Sequence, residues 1–400
     1  MRAALLVALA VLAGCGAAGH AAGTQGAFVS PTGSDAAACT SDAPCATFDR
    51  AYHVAAPGGV VEIAPGTYPS QEVDADASKP AGSPRVTFRP AAGGAVVVDG
   101  DLVFLGVHGA NVERLKIKQL AVLPSTRSAL TASTEYASDI TFSKLGMKLF
   151  VLRSVKNVTI TDSAIGNYSY LEGYGSNTIG AYDSMPPASG IVLDRLTFRG
   201  IRRDTSPSHA ECLFLQNVDG IAIRRSRFLQ CPVMAIFSQA VGDPFNPRHV
   251  TIENNFIGHP GDDGSSSVYV DYRGGNLPDA WVIRFNSFGG GLRFVDGTSF
   301  PGVVVDSNVG PNAQGYCGAG VTYAHNVWSA VACGSTDRVA PVGYVDANGL
   351  DFRLAACAAA IDRGNKKAYP KVDIFGRRRP AGNQPDAGAW EAPKRAKRCP

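Results

Sequence analysis

The sequence predicts an all-β chain wound as a single solenoid of stacked parallel strands, and three observations carry that prediction. First, a nine-residue unit recurs with apolar residues at its second, fourth and ninth places. It reads NVTITDSAI (157–165), GIVLDRLTF (190–198), GIAIRRSRF (220–228), HVTIENNFI (249–257) and AWVIRFNSF (280–288), with fainter copies at 139–147, 302–310 and 320–328. A unit that cannot bury its apolar face alone, repeated at such spacing, stacks on its neighbours. Second, no period of 3.6 runs through the units, and their alignment does not set adjacent units as antiparallel hairpins. Third, 45 Gly and 25 Pro against only 18% charged residues suit a turn-rich β protein better than a helical bundle.

Within each unit, places two and four face one way from a strand, and the polar pair at places six and seven marks a bend. Place nine opens a second inward-facing strand. Like stacked on like gives parallel strands ~4.8 Å apart, and on the order of ten to twelve coils between residues 60 and 350. Place seven is often Ser or Asn (Ser163, Ser226, Asn255, Asn286, Asn308, Asn326). Such side chains can bond along the axis and satisfy bend backbone that the core cannot reach.

The chain opens MRAALLVALAVLAGC: one Arg, eleven apolar residues from Ala3 to Ala13, then Gly14-Cys15. That run is too short to span a bilayer, which takes ~20 residues in a helix, and has the form of an export signal over 1–14. Leu12-Ala13-Gly14-Cys15 resembles the bacterial lipobox, which would acylate Cys15 and anchor the protein to a membrane through a flexible tether at 15–27. Ordinary cleavage near Ala18–Ala22 and free secretion is the alternative. Of nine cysteines, the eight others can pair in an extracytoplasmic compartment. Proximity favours Cys39–Cys45, Cys212–Cys231, Cys317–Cys333 and Cys357–Cys399; no CxxC or Cys/His spacing supports zinc. A net charge of +3 excludes a strongly basic nucleic-acid surface, and the chain reads as a monomer.

FVSPTGSDAAAC (28–39) followed by TFDRAYHVAAPGGVVEIAPGTY (47–68) resembles the opening of many extracellular members of the right-handed parallel β-helix, pectate-lyase-like superfamily. The resemblance implies a right-handed β-helix over 28–356 whose first coil is covered by a short helix. Phe48, Ala51, Tyr52 and Ala55 do fall on one helical face, and Pro57-Gly58-Gly59 would stop it. Residues 357–393 are similar to a closing segment that follows such helices in proteins with varied surface anchors, although no sorting signal follows here. A basic tail, 394–400, ends the chain.

Between residues 158 and 281 the repeat interval lengthens to 33, 30, 29 and 31 residues, against 18 to 22 elsewhere. Extra loops on consecutive coils would stack into a wall beside a flat sheet, and loops on a rigid scaffold concentrate binding residues. One loop carries Tyr168, Tyr170, Tyr174 and Tyr182, whose rings suit sugar faces or else pack the loop against the coil. The next stretch, SHAECLFL, resembles the HxDGIQI-like stretch of many β-helix proteins, which holds an acidic residue in the matching place. His209 and Glu211 share the parity of the core leucines, so they leave the core through a bend or are buried with hydrogen-bond donors. Arg202, Arg203, Arg224, Arg225 and Arg227 form a basic group that either pairs with acids on adjacent coils or meets a polyanion. Asp262, Asp263 and Asp271 are oxygen ligands of the kind calcium takes; a solvated loop is the alternative.

These residues imply a polysaccharide partner and leave three functions open. A lyase on uronate-containing glycan would use His209, Glu211, Arg203 and Arg224 in catalysis, with the tyrosines, Arg202 and Arg227 on substrate. A glycoside hydrolase would pair Glu211 with Asp183 or Asp271. A non-catalytic adhesion or glycan-binding protein would use the same surface without chemistry.

Overall fold

The computed structural model describes residues 26–126, 134–181, 185–204, 211–239, 245–258, 266–311 and 317–394. Alternation of apolar residues lays the repeat units down as strands, and twelve strands hydrogen-bond into one parallel sheet running from Ala27–Val29 to Thr322–Ala324. Equivalent places meet in register: Ile191 opposite Ile221 and then Val250, and Ile223 opposite Ile252, Ile283 and Val305. These side chains are all buried, each contributing ~1.5–3 kcal/mol of apolar transfer.

Place nine builds a second face. Ile165, Phe198, Phe228, Ile257 and Phe288 stack in register, with Phe198 and Phe228 nearly parallel at 4.5 Å between centroids. A third face, which the repeat unit does not itself encode, is built by Leu149–Arg153, Thr178–Gly180, Leu213–Leu215, Ile236–Ser238, Ser266–Val270 and Gly291–Phe294. Pairing is parallel on all three faces; among the described strands only Tyr344–Asp346 and Asp351–Leu354 run antiparallel. The molecule is a parallel β-helix.

Left-handed backbone makes the bends. Place six has positive φ in every unit, as in Asp162 (52°), Arg225 (49°), Asn254 (59°) and Phe285 (53°), a conformation that costs roughly 1–2 kcal/mol per L-residue. Side chains at place seven help to offset that cost. Asn255, Asn286, Asn308 and Asn326 lie buried one above another, each Oδ1 accepting the backbone N–H of the coil below at 2.8–3.0 Å. Asp337 ends the row by accepting from Asn326 N at 2.9 Å.

The helix Phe48–Val54 covers the first coil. Thr47 Oγ1 caps it by accepting from Arg50 N, and Phe48, Ala51 and Tyr52 are buried. It shields an edge that would otherwise invite strand addition. Disulfides join Cys39 to Cys45, Cys212 to Cys231 and Cys317 to Cys333. Cys357 is also disulfide-bonded; Cys399 lies outside the described residues, as does Cys15.

The segment after Cys357 lies along the flank of the coil. Ile374, Ala387, Ala389 and Trp390 share a core with Phe256 and Val309. Ala389 N donates to Ser287 Oγ (3.0 Å) and Asn254 Nδ2 to Val372 O (2.8 Å). Gly388 is required there, because a Cβ would lie 2.4 Å from Val309 Cγ1. No helix among the described residues is long and apolar enough to cross a membrane.

Candidate functional site

The extra residues of the long coils enter on either side of the third face. Residues 170–177, 211–212 and 229–235 stand at its junction with the second face, and 245–247 and 271–279 at its junction with the first. Bonds between coils fasten both walls. On one side Ser176 Oγ donates to Glu211 Oε2 (2.6 Å), Asn177 Nδ2 to Cys212 O (2.9 Å), and Cys212 is bonded to Cys231. On the other, Asn246 N donates to Asn276 Oδ1 (2.8 Å) and Asn246 Nδ2 to Gly274 O (2.8 Å).

The floor between these walls is ordered. Leu213, Leu215, Ile236, Val268 and Val270 point inward and are buried, so the residues between them point outward. Phe214, Phe237, Tyr269 and Arg293 therefore fall in one outward column, in register on consecutive coils. Phe214 stacks on Phe237 at 5.1 Å and Phe237 on Tyr269 at 5.6 Å. The Arg293 guanidinium lies 4.9 Å from the Tyr269 ring centroid, and its Nε has no hydrogen-bond partner among the described residues. Burial, then the Asp271 charge, raises the Tyr269 pKa above its ordinary value.

A polar column runs beside the rings. Arg153 Nη1 donates to Gln216 Oε1 at 2.8 Å, reaching past Gly180, where a Cβ would lie 2.3 Å from the Gln216 carbonyl oxygen. Gln239 Nε2 donates to Asp271 Oδ2, which also accepts from Arg273 Nε (3.0 Å); Asp271 Oδ1 accepts from Tyr272 N (2.9 Å). A ladder of ring edges beside a column of forked donors can meet apolar sugar surface and carboxylates together.

The residues singled out in the sequence are dispersed by comparison. Glu211 is 2% exposed and bonded to Ser176, so it fastens a wall and does not face the trough. Tyr168 is a correction to the expected set of sugar-facing rings: it is a fully buried core residue whose hydroxyl donates to Gly175 O (2.8 Å). Burial, then the Glu211 charge, raises its pKa. Tyr170 and Tyr174 are half-buried, with Lys148 Nζ 4.9 Å over the Tyr174 ring. Lys148 also binds Glu172 (2.6 Å), and Arg202, more than half exposed, stands 3.7 Å from the same carboxylate. Arg203 is half-buried, just past the end of the strand Thr197–Arg202.

Arg224 sits on the first face, 3.6 Å from Asp194. Arg227 sits on the second, donating to Thr197 Oγ1 (3.1 Å) and lining a cleft of about 310 Å³ with Arg195, Arg225 and Phe375. Neither joins Glu211 in a shared site. His209, Tyr182, Asp183, Asp262 and Asp263 lie outside the described residues. Asp271 is drawn to Gln239 and Arg273, and no group of three potential ligands able to hold a metal ion occurs among the described residues.

The aromatic floor was the feature missed in the sequence, although a signal is present. FLQ (214–216), FSQ (237–239) and YVD (269–271) repeat an aromatic residue followed two places later by an amide or acid. They fall between the nine-residue units, where the repeat alignment does not look.

The fold has relatives of known structure. A structure described as the complex of XylC with xylose matches with a TM-score of 0.51 at 9% identity, over 91% of this chain and 98% of that one. The pectate lyase Pel9A matches with 0.41 at 16% identity, over 92% and 97%. A rhamnogalacturonan lyase matches with 0.41 at 13% identity, over 80% and 90%. No family model and no curated protein sequence matches the chain. The first of these is a likeness of fold alone.

Proposed function

We propose that this protein holds an acidic polysaccharide along its third face and cleaves it by β-elimination outside the cytoplasm. The single observation that carries the reading is the outward column Phe214–Phe237–Tyr269 ending on Arg293, with Arg153 and Arg273 alongside. Stacked rings one strand spacing apart present a continuous apolar edge along which a sugar chain can lie, and guanidinium groups bind uronate carboxylates in two-pronged fashion.

In β-elimination a base removes the C5 proton, and the electron pair left behind forms the C4–C5 double bond. The bond to O4 breaks and the departing oxygen takes up a proton. Guanidinium groups at the neighbouring carboxylate stabilise the charge that develops at C5. Tyr269, whose hydroxyl stands on the same outward column, is the group placed to donate to the departing oxygen. Hydrolysis is the poorer fit, since it needs two carboxylates flanking one bond. Asp271 is already bonded to Gln239, Arg273 and a backbone amide, and Glu211 is committed to the wall.

Disulfides and the lipobox-like stretch ending at Cys15 support a secreted or membrane-anchored protein. Incubation with a panel of uronate-containing and neutral glycans tests the reaction. Absorbance of an unsaturated product on acidic glycan is the expected result. New reducing ends without that absorbance would replace the lyase reading with hydrolysis, and retention without cleavage would leave a binding protein.

A further inference from the structure

We propose a second, separate site: Ser138, His108 and Glu135 form a nucleophile–base–carboxylate relay that hydrolyses esters of small acyl groups. His108 and Ser138 are register partners on adjacent coils, at the entry to the first face. Ser138 Oγ lies 2.9 Å from His108 Nδ1, and His108 Nε2 lies 3.2 Å from Glu135 Oε2. Glu135 is itself positioned, its N–H donating to Ser125 Oγ at 2.9 Å. With Nε2–H donating to Glu135, the Nδ1 lone pair points at the serine hydroxyl. Such relays are recognised by geometry and roles; here Nδ1 faces the serine and Nε2 the carboxylate.

Two neighbours complete the chemistry. Ser138 Oγ also reaches Asp139 Oδ2 at 2.8 Å, so rotation about Cβ–Oγ moves its proton between a resting acceptor and the imidazole. One coil further on, Lys156 is the register partner of Ser138 and is exposed, so a long flexible cation is anchored one strand away and is the group proposed to meet the oxyanion. Glu135 is at the surface while Ser138 is only 5% exposed, which restricts entry to a compact acyl group such as acetyl, carried on a sugar or other alcohol.

Ser138 Oγ adds to the ester carbonyl as its proton passes to His108 Nδ1, and the C=O pair becomes an oxyanion near Lys156. Collapse re-forms the carbonyl, breaks the bond to the alcohol oxygen and returns the proton to that oxygen, leaving acyl-Ser138. Water repeats the sequence, adding to the acyl carbon and giving a proton to Nδ1; Ser138 departs and takes it back. Ester and water become alcohol and carboxylic acid.

The test treats the folded wild-type protein with a fluorophosphonate probe, maps the adduct by mass spectrometry, and measures p-nitrophenyl acetate hydrolysis. We expect the adduct on Ser138, with Ser138→Ala and His108→Ala each lowering hydrolysis on the order of 10³-fold or more. An adduct elsewhere or none, or a Ser138→Ala protein that hydrolyses as fast as wild type, overturns the proposal. Should either variant misfold, the adduct map on the wild-type chain decides alone. Neither assay involves polysaccharide, so failure here leaves the third-face reading standing.

Discussion

The first and third faces are built by the same stacking, yet their outward columns differ in kind. On the first face Asp194, Arg224, Glu253, Arg284 and Asp306 follow one another in register, alternating in sign. Arg284 binds Glu253 at 2.5 Å, and Arg225 reaches around to Asp194 at 2.5 Å. On the third face the equivalent column is aromatic and ends on a guanidinium whose Nε has no hydrogen-bond partner among the described residues. A charge that finds its opposite one rung away serves the stack. Arg224, conspicuous in the sequence, belongs to the first kind, and Arg293 to the second.

The strongest test of this contrast strikes the bend that both faces depend on. Asn286 accepts from Asn255 N and donates to Ile252 O, so Asn286→Ala leaves buried backbone unmet at ~1–3 kcal/mol per group. Denaturant unfolding should show a loss on the order of 3 kcal/mol. Next come the third-face variants. Arg293→Gln should weaken binding of acidic glycan ~10–100-fold, as for loss of a charge-assisted bond, and reduce the salt dependence of binding. Phe237→Ala should weaken it by ~10-fold with both kinds of glycan, as read by calorimetric titration.

Arg224→Gln should do least to ligand binding and shift stability by under ~1 kcal/mol, because Arg224 is itself exposed and Asp194 keeps Arg195 and Arg225 as partners. A pH profile sharpens the same point. The hydrogen bond from Arg195 holds the Asp162 carboxyl below its usual range, so its contribution is present above ~pH 4, the ordinary unfolded value, and is lost as pH falls through the lowered folded one. Thermal melts in acid should show a shallower decline for Arg195→Gln. An unchanged acid limb would remove Asp162 from the account.

The stack was legible because burial imposes a period: Ile221, Ile223 and Phe228 declare their faces by spacing alone. The amides at place seven were legible for a related reason, since a bend needs local donors and acceptors. Sites are read less well. Glu211 read as either a site carboxylate or a buried one with donors; the donor is Ser176, 35 residues away in the chain, and no local pattern names that partner. Tyr168 shares a loop with exposed residues, yet its place on the second-face strand Ala164–Ser169 turns it inward. Phe214, Phe237 and Tyr269 each look like ordinary strand residues until stacking sets them in one line. His108 and Ser138 likewise come together through register alone.

The most direct measurement is calorimetric titration of wild-type, Arg293→Gln and Phe237→Ala proteins with a uronate oligosaccharide and its carboxyl-reduced counterpart. The account predicts that wild type prefers the acidic ligand, that Arg293→Gln erases the preference, and that Phe237→Ala weakens both ligands while keeping it. Equal affinity of all three proteins for both ligands would contradict it.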